Sequence, residues 1–349
     1  MNIDEIKKEE NAQHVLELLS KAKKIKIPLT CVMEITSKCN FRCVHCYLDG
    51  IHDQELSLKE CLDYINQIKN LGGRFLTLTG GEPLLHPHFK EIYTYAYSKG
   101  LLIDVFTNGS LIDDNILDLF RTLPPRVIEV SLYGFDINTF MNVTRTNYDL
   151  KKILSNIKKI QANGLNVILK NIVLKNNVSD FFKIKNWAFK EGINFKYDFN
   201  IFPTIQNNEA PTNFALTTNE IIQLEIAEGK TDQWIKQYKN REWFSKERCG
   251  CGRISYMISS ASMVRKCNFL VDSNECFSLK NNTLEDIWEL LKKQETKNDE
   301  ECQMCEYKAL CDICPAMSYA MNENRKGKVK KQCELAKKRW EIIKSEIAG

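Results

Sequence analysis

Between residues 29 and 202, short apolar runs alternate with stretches of helical periodicity six times over, and that rhythm limits the possible folds more than anything else in the chain. Strands are read at Leu29–Ile35, Phe75–Thr79, Leu101–Phe106, Val127–Leu132, Leu165–Leu174 and Phe195–Phe202. Helices are read between them at Leu56–Ile68, Phe89–Tyr97, Ile112–Leu123, Leu150–Ile160 and Phe181–Phe189. Gly100, Gly164 and Gly192 follow three of the helices, and Pro124 with Pro125 stops another; these are ordinary helix terminators. Strands separated by helices predict a parallel α/β sheet with right-handed crossovers, either an open doubly wound sheet or a partial barrel. In both, chemistry gathers at the carboxyl ends of the strands.

The residues with chemical potential fall at those ends. Strand one runs into Cys39, Cys43 and Cys46, spaced C-x3-C-x2-C. Strand two is followed by Gly80, Gly81, Glu82 and Pro83, strand three by Thr107, Asn108 and Gly109, and Ser131 closes strand four. A glycine pair lets a ligand approach the backbone, Glu82 is an acceptor for an amino group, and Pro83 stiffens the turn. Three thiolates leave a tetrahedral zinc site one ligand short unless His45 completes it. They suit a [4Fe–4S] cluster whose fourth iron is open to a non-protein ligand.

The chain has 14 cysteines in 349 residues, and the compartment decides what so many thiols can mean. The first residues mix acids and bases with no apolar signal-peptide core, and no window approaches the ~18 apolar residues of a membrane span. A cytoplasmic protein keeps its thiols reduced, so metal or redox work is a better reading than a disulfide framework. With 43% hydrophobic and 27% charged residues the chain is globular, and a net charge of +4 is too mild to argue for nucleic acid.

After residue 203 the rhythm stops. Residues 203–216 are polar, with Pro203 and Pro211, and Thr217–Glu228 reads as a helix. Eight of the last nine cysteines then come in groups: Cys249 and Cys251, Cys267, the run Cys302, Cys305, Cys311, Cys314, and Cys333. Eight thiols fill two four-ligand sites, which by spacing alone are two zinc sites, two iron–sulfur clusters, or one of each. The expected organisation is a helical extension at 1–28 (with a helix at 4–22), the barrel at 29–202, a linker and helical bridge at 203–248, and a Cys-rich domain with a C-terminal helix at 249–349.

Cys39, Cys43 and Cys46 followed by Gly80–Pro83 resemble the radical S-adenosylmethionine (SAM) enzymes. The resemblance implies a partial (β/α)6 TIM-like barrel in which the three thiolates hold a [4Fe–4S] cluster that binds SAM through its open iron. It also implies that Gly80, Gly81, Glu82 and Pro83 hold the SAM amino group, with Asn108, Ser131 and Arg145 near the ribose or carboxylate. His45 stands where such enzymes carry an aromatic residue. The later cysteines resemble the SPASM domain of radical SAM enzymes that modify peptides. That likeness implies an outer auxiliary [4Fe–4S] cluster on Cys302, Cys305, Cys311 and Cys333, and an inner one on Cys249, Cys251, Cys267 and Cys314. Two features depart from the pattern: two residues, not three, separate Cys311 from Cys314, and Ser262 replaces a glycine.

The function so implied is maturation of a ribosomally made precursor peptide by thioether formation or another crosslink, with a flavodoxin- or ferredoxin-type electron donor and without nucleic acid or membrane. The alternatives are a peptide epimerase, for which Cys276 is the candidate thiol donor, an anaerobic sulfatase-maturing enzyme that forms formylglycine, and a zinc-binding interaction protein without catalysis. Cys31 and Cys61 read as small buried hydrophobes.

Overall fold

A computed structural model describes residues 20–48, 50–241, 250–271, 275–293, 300–322 and 327–347. Most of the expected helix at 4–22, and Cys249, lie outside these residues.

Six parallel strands stand side by side in sequence order: β1 Thr30–Thr36, β2 Phe75–Gly80, β3 Leu102–Thr107, β4 Val127–Ser131, β5 Val167–Ile172 and β6 Asn194–Asp198. The helices α1 Leu58–Asn70, α2 Phe89–Ser98, α3 Asp114–Thr122, α4 Ile137–Thr144, α5 Leu150–Ala162 and α6 Phe181–Lys190 run between and after them. Of the two forms the alternation leaves open, this is the partial (β/α)6 barrel that the family resemblance implies. Strand six stops at Asp198 rather than Phe202, and α4 is a helix the apolar rhythm did not disclose.

α1 shows how the sequence sets these elements. Ser57 and Glu60 form a reciprocal capping box, and Cys61, Tyr64, Ile65 and Ile68 bury one face at helical spacing. Met33, Leu78, Val105, Ile128, Val130 and Leu169 meet these helices in one apolar layer. Since side chains alternate along a strand, the residues between them (Glu34, Thr79, Asp104, Glu129 and Lys170) face the opposite, concave side. Cys31 and Cys61 are buried in the apolar layer, as read, and burial pushes the Cys61 thiol up to about 12.

The sheet does not end at β1. β7 Ser255–Ile258 pairs parallel to β1, and β8 Met263–Arg265 and β9 Phe277–Ser278 continue antiparallel, giving nine strands. The Cys-rich segment is therefore hydrogen-bonded to the first strand of the barrel. α9 Leu284–Lys293 reinforces the join by burying Leu284, Ile287, Trp288 and Leu291, and Trp288 Nε1 donates to Lys26 O at 2.9 Å.

A second apolar cluster gathers α7 Thr218–Ala227, α8 Thr231–Lys239 and the C-terminal helix, which is labelled α12 (Lys330–Ile347) because α10 Glu300–Gln303 and α11 Pro315–Met321 precede it. At its centre Arg339 forms a two-pronged ion pair with Glu225, at 2.9 and 2.6 Å, and also donates to Leu310 O and Asp312.

Candidate active site

The loop after β1 is held from three sides. Arg42 N and Val44 N donate to Thr144 O and Val143 O at the end of α4, both at 2.9 Å. Phe41 packs edge-on against Phe140. At the loop's entrance, Gly81 N donates to Thr36 O and Glu82 N to Lys38 O, both at 2.8 Å. A Cβ on Gly80 or Gly81 would run into the carbonyls of Thr36, Ser37 and Lys38. The close approach expected of a ligand to this glycine pair is thus made first by the chain itself, which lays the cysteine loop against the β2 exit.

Within the loop the three thiols lie close together. Burial raises the Cys43 thiol well above its ordinary range, and Cys46 and Cys39 raise it further by charge repulsion. Cys39 is raised by burial, partly offset by the Phe41 N–H, which reaches its Sγ at 3.4 Å. Asn108 Nδ2 stands 3.9 Å from the same sulfur.

Glu82 is fully buried. Its carboxylate accepts from Thr107 Oγ1 at 2.8 Å, Asn108 N at 2.7 Å and Leu84 N at 3.1 Å. Burial lifts its pKa to about 7 against these three donors. Glu82 thus joins the β2 and β3 loops. Asn108 completes the stitch, donating to Asn40 Oδ1 at 2.8 Å and accepting from Ser110 N at 2.9 Å. Ser131 closes β4 and hydrogen-bonds Tyr133. Arg145 follows α4 at φ +50 with its side chain exposed, one residue beyond the Thr144 carbonyl that anchors Arg42.

Tyr133 is the site residue the motifs did not single out. Its ring meets His45 edge-on at 4.5 Å. It is half-buried, and its hydroxyl is pushed upward by desolvation and by the charges of Cys43 and Cys46, with Cys39 adding to them. Asn177 Nδ2 holds its carbonyl at 3.0 Å, and Asp180 accepts the N–H groups of Phe135 and Asp136 at 2.8 Å. The sequence signal was the run Ser131 to Gly134 after β4, at the same end as the cysteines.

A second unforeseen group joins this loop to the C-terminal hairpin. Tyr47 donates to buried Glu34 at 2.6 Å and accepts from Asn268 Nδ2 at 3.3 Å. Tyr47 follows Cys46, and Asn268 follows Cys267.

Of the later cysteines, the proposed outer quartet is brought together. Burial pushes the Cys311 thiol up to about 12, and Cys333 and Cys302 add to it through their charge. Cys305 acts on Cys333 in the same way. For the inner set, Cys251 bridges to Ser255 at the foot of β7, Cys267 Sγ accepts from Phe269 N at 3.5 Å, and Cys314 caps α11. Cys276, just before β9, donates to Leu270 O at 3.8 Å. Among the described residues no group of three or more His, Cys, Asp or Glu side chains is arranged to hold a single metal ion.

The residues fit an iron–sulfur group with SAM. Three mutually repelling thiols share one loop at the carboxyl end of the sheet, and beside them His45 Nδ1 is a buried polar atom with no partner in the protein. Burial lowers the His45 pKa to about 4, so the ring is neutral.

Residues 33–188 match the Radical SAM superfamily. An AdoMet-dependent heme synthase of Methanosarcina barkeri is 24% identical over 84% of this chain and 93% of its own. The sporulation killing factor maturation protein SkfB of Bacillus subtilis is 23% identical over 69% of this chain and 60% of its own. The crystal structure of Streptococcus suis SuiB bound to precursor peptide SuiA superposes with a TM-score of 0.70 at 15% identity, covering 93% of this chain and 80% of that one. At that identity the likeness speaks for the fold alone. No helix among the described residues is long and apolar enough to cross a membrane.

Proposed function

We propose that this chain, whose residues 33–188 are a radical SAM superfamily domain, is an enzyme that matures a ribosomally made peptide by forming a thioether or another crosslink. The observation that carries this reading is the join of two cysteine groups on one sheet: the three-thiol loop follows β1, and the hairpin bearing Cys267 extends the sheet from that same strand. The likeness to SkfB, over 69% of this chain, supports the same reading.

When bound, SAM and its [4Fe–4S] cluster supply a 5′-deoxyadenosyl radical able to take a hydrogen atom from an unactivated C–H bond. Cys39, Cys43 and Cys46 would hold that cluster. Gly80–Pro83, Asn108, Ser131 and Arg145 would surround SAM, with Glu82 fixing the loops rather than presenting a free carboxylate. Tyr133 and His45, packed edge-on, would flank the cluster beside the thiols. Cys302, Cys305, Cys311 and Cys333 would hold one auxiliary cluster, and Cys251, Cys267 and Cys314, with Cys249, the other. Electrons come from a flavodoxin- or ferredoxin-type donor.

The test is anaerobic reconstitution, assay of iron and sulfide, detection of 5′-deoxyadenosine, and mass spectrometry of a co-expressed peptide. A crosslink removes two hydrogens, whereas unchanged mass with solvent deuterium incorporated marks an epimerase and formylglycine marks sulfatase maturation. Colourless, zinc-loaded protein that leaves SAM intact would end the enzymatic reading. The near full-length match to a heme synthase favours a second reading, a tetrapyrrole substrate, which the same assay tests with a porphyrin in place of the peptide.

A further inference from the structure

The concave face of the sheet carries a charged group that neither the motifs nor the cysteine sites use. Glu129 on β4 lies between Ile128 and Val130, which belong to the helix-facing apolar layer, so its side chain points to the other side. Its side chain is only 7% exposed, yet two lysines from the next two strands flank it. Lys170 Nζ is 3.5 Å from Oε1 and Lys196 Nζ is 3.5 Å from Oε2. Lys170 and Lys196 are themselves register partners, in one row with Ser131. Ser131 closes β4, and Lys170 and Lys196 lie two residues inside the carboxyl ends of β5 and β6, the end that carries the cysteine loop.

Two ammonium groups share one carboxylate, leaving an excess positive charge. Each retains donors, since an ammonium has three, and their side chains are 38% and 58% exposed. Among the described residues no carboxylate other than Glu129 comes within ion-pair distance of either lysine. Asp104, on β3, pairs with Arg126 and acts on Lys196 only through its longer-range charge. Asp198, two residues after Lys196, accepts from Asn200 N and Nδ2 at 2.9 and 2.8 Å. The Phe106 ring lies 6.0 Å from the Lys170 ammonium and gives the place an apolar floor.

We propose that Lys170 and Lys196 bind a carboxylate of the substrate inside the barrel, with Glu129 holding the two ammonium groups ready in its absence. This rests on the reading of the chain as a radical SAM enzyme whose substrate enters at the carboxyl ends of the strands. The carboxylate is either an acidic side chain of a peptide or a propionate of a tetrapyrrole.

Fluorescence binding at low salt separates these. The probes are short labelled peptide pools with one fixed Glu, the same pools with Gln, coproporphyrin III, and its tetramethyl ester. Wild-type protein should favour the acidic form of the true class by about tenfold, the order of one charge-assisted hydrogen bond. Lys170→Gln/Lys196→Gln should erase the preference, and Lys151→Gln, an exposed lysine on α5, should leave it. Glu129→Gln should tighten acidic binding severalfold, a direction that mere structural support would not give. A preference for Glu pools supports both proposals, while a preference confined to coproporphyrin keeps the lysine site and removes the peptide substrate. Peptide binding without lysine dependence overturns the lysine site alone. Weaker acidic binding by Glu129→Gln, or no preference for either acid, also overturns it.

Discussion

The Glu82 carboxylate accepts the backbone N–H of Asn108 at 2.7 Å, and the Asn108 side chain in turn stands 3.9 Å from Cys39 Sγ. Three strand exits are thereby linked through one buried acid.

Because Glu82 titrates near 7 in the folded protein and near 4.5 when exposed, the folded state binds its proton more tightly. Its contribution to stability is fully present below pH 4.5 and is lost as pH rises through 7. The shift is worth about 3 kcal/mol. Denaturant melts of cluster-free protein from pH 4 to 8 should show the decline, and Glu82→Gln should flatten it. An unchanged slope in that variant would place the titration elsewhere.

Replacing Cys39 with Ala should remove about one third of the iron of a protein holding three [4Fe–4S] clusters and abolish 5′-deoxyadenosine release. Replacing Cys333 with Ala should cost a similar share of iron while SAM cleavage continues. Iron assay beside product chromatography distinguishes the two, and equal loss of SAM cleavage in both would contradict separate sites.

Ser262 occupies φ +61, the left-handed region where glycine is favoured, and its hydroxyl donates to Glu60 Oε1 on α1 at 3.2 Å. This explains both the glycine expected there and its replacement. Ser262→Ala keeps the backbone strain and loses the bond, so it should cost about 1 kcal/mol. Ser262→Gly relieves strain of similar size and should lie closer to wild type. Thermal melts of the two variants give the order.

Arg339 and Glu225 are both buried, and removing one leaves the other uncompensated. Arg339→Leu should destabilise by about 3–5 kcal/mol, with much of it recovered in Glu225→Leu/Arg339→Leu. Since Arg339 also grips Leu310 O and Asp312, on either side of Cys311, the single variant should also lose iron. A denaturation cycle with iron assay reads both.

The strand order and the placing of Cys39, Cys43 and Cys46 at a strand end were legible because alternation and helical spacing report directly which faces are buried. The meaning of Gly80 and Gly81 was only half legible, since composition shows that something approaches closely but not that it is Thr36 and Lys38. Tyr133, and the Glu34–Tyr47–Asn268 chain, depend on contacts between segments far apart in sequence, which no local period encodes. The pairing of β7 with β1 is hidden for the same reason: a short apolar run does not say whose edge it will join.

That pairing has a consequence for how the protein is made. Thr30 finds its partner in Ser255, so on the ribosome the first strand waits with one edge bare until most of the chain has emerged. Such long-range closure slows folding, and an uncovered edge invites pairing with other chains. The cysteine loop follows immediately from that strand, so it reaches its final setting only late in synthesis. Any cluster held by Cys39, Cys43 and Cys46 would therefore have to await the pairing of β7 with β1, and a fragment ending before β7 should aggregate rather than accept one.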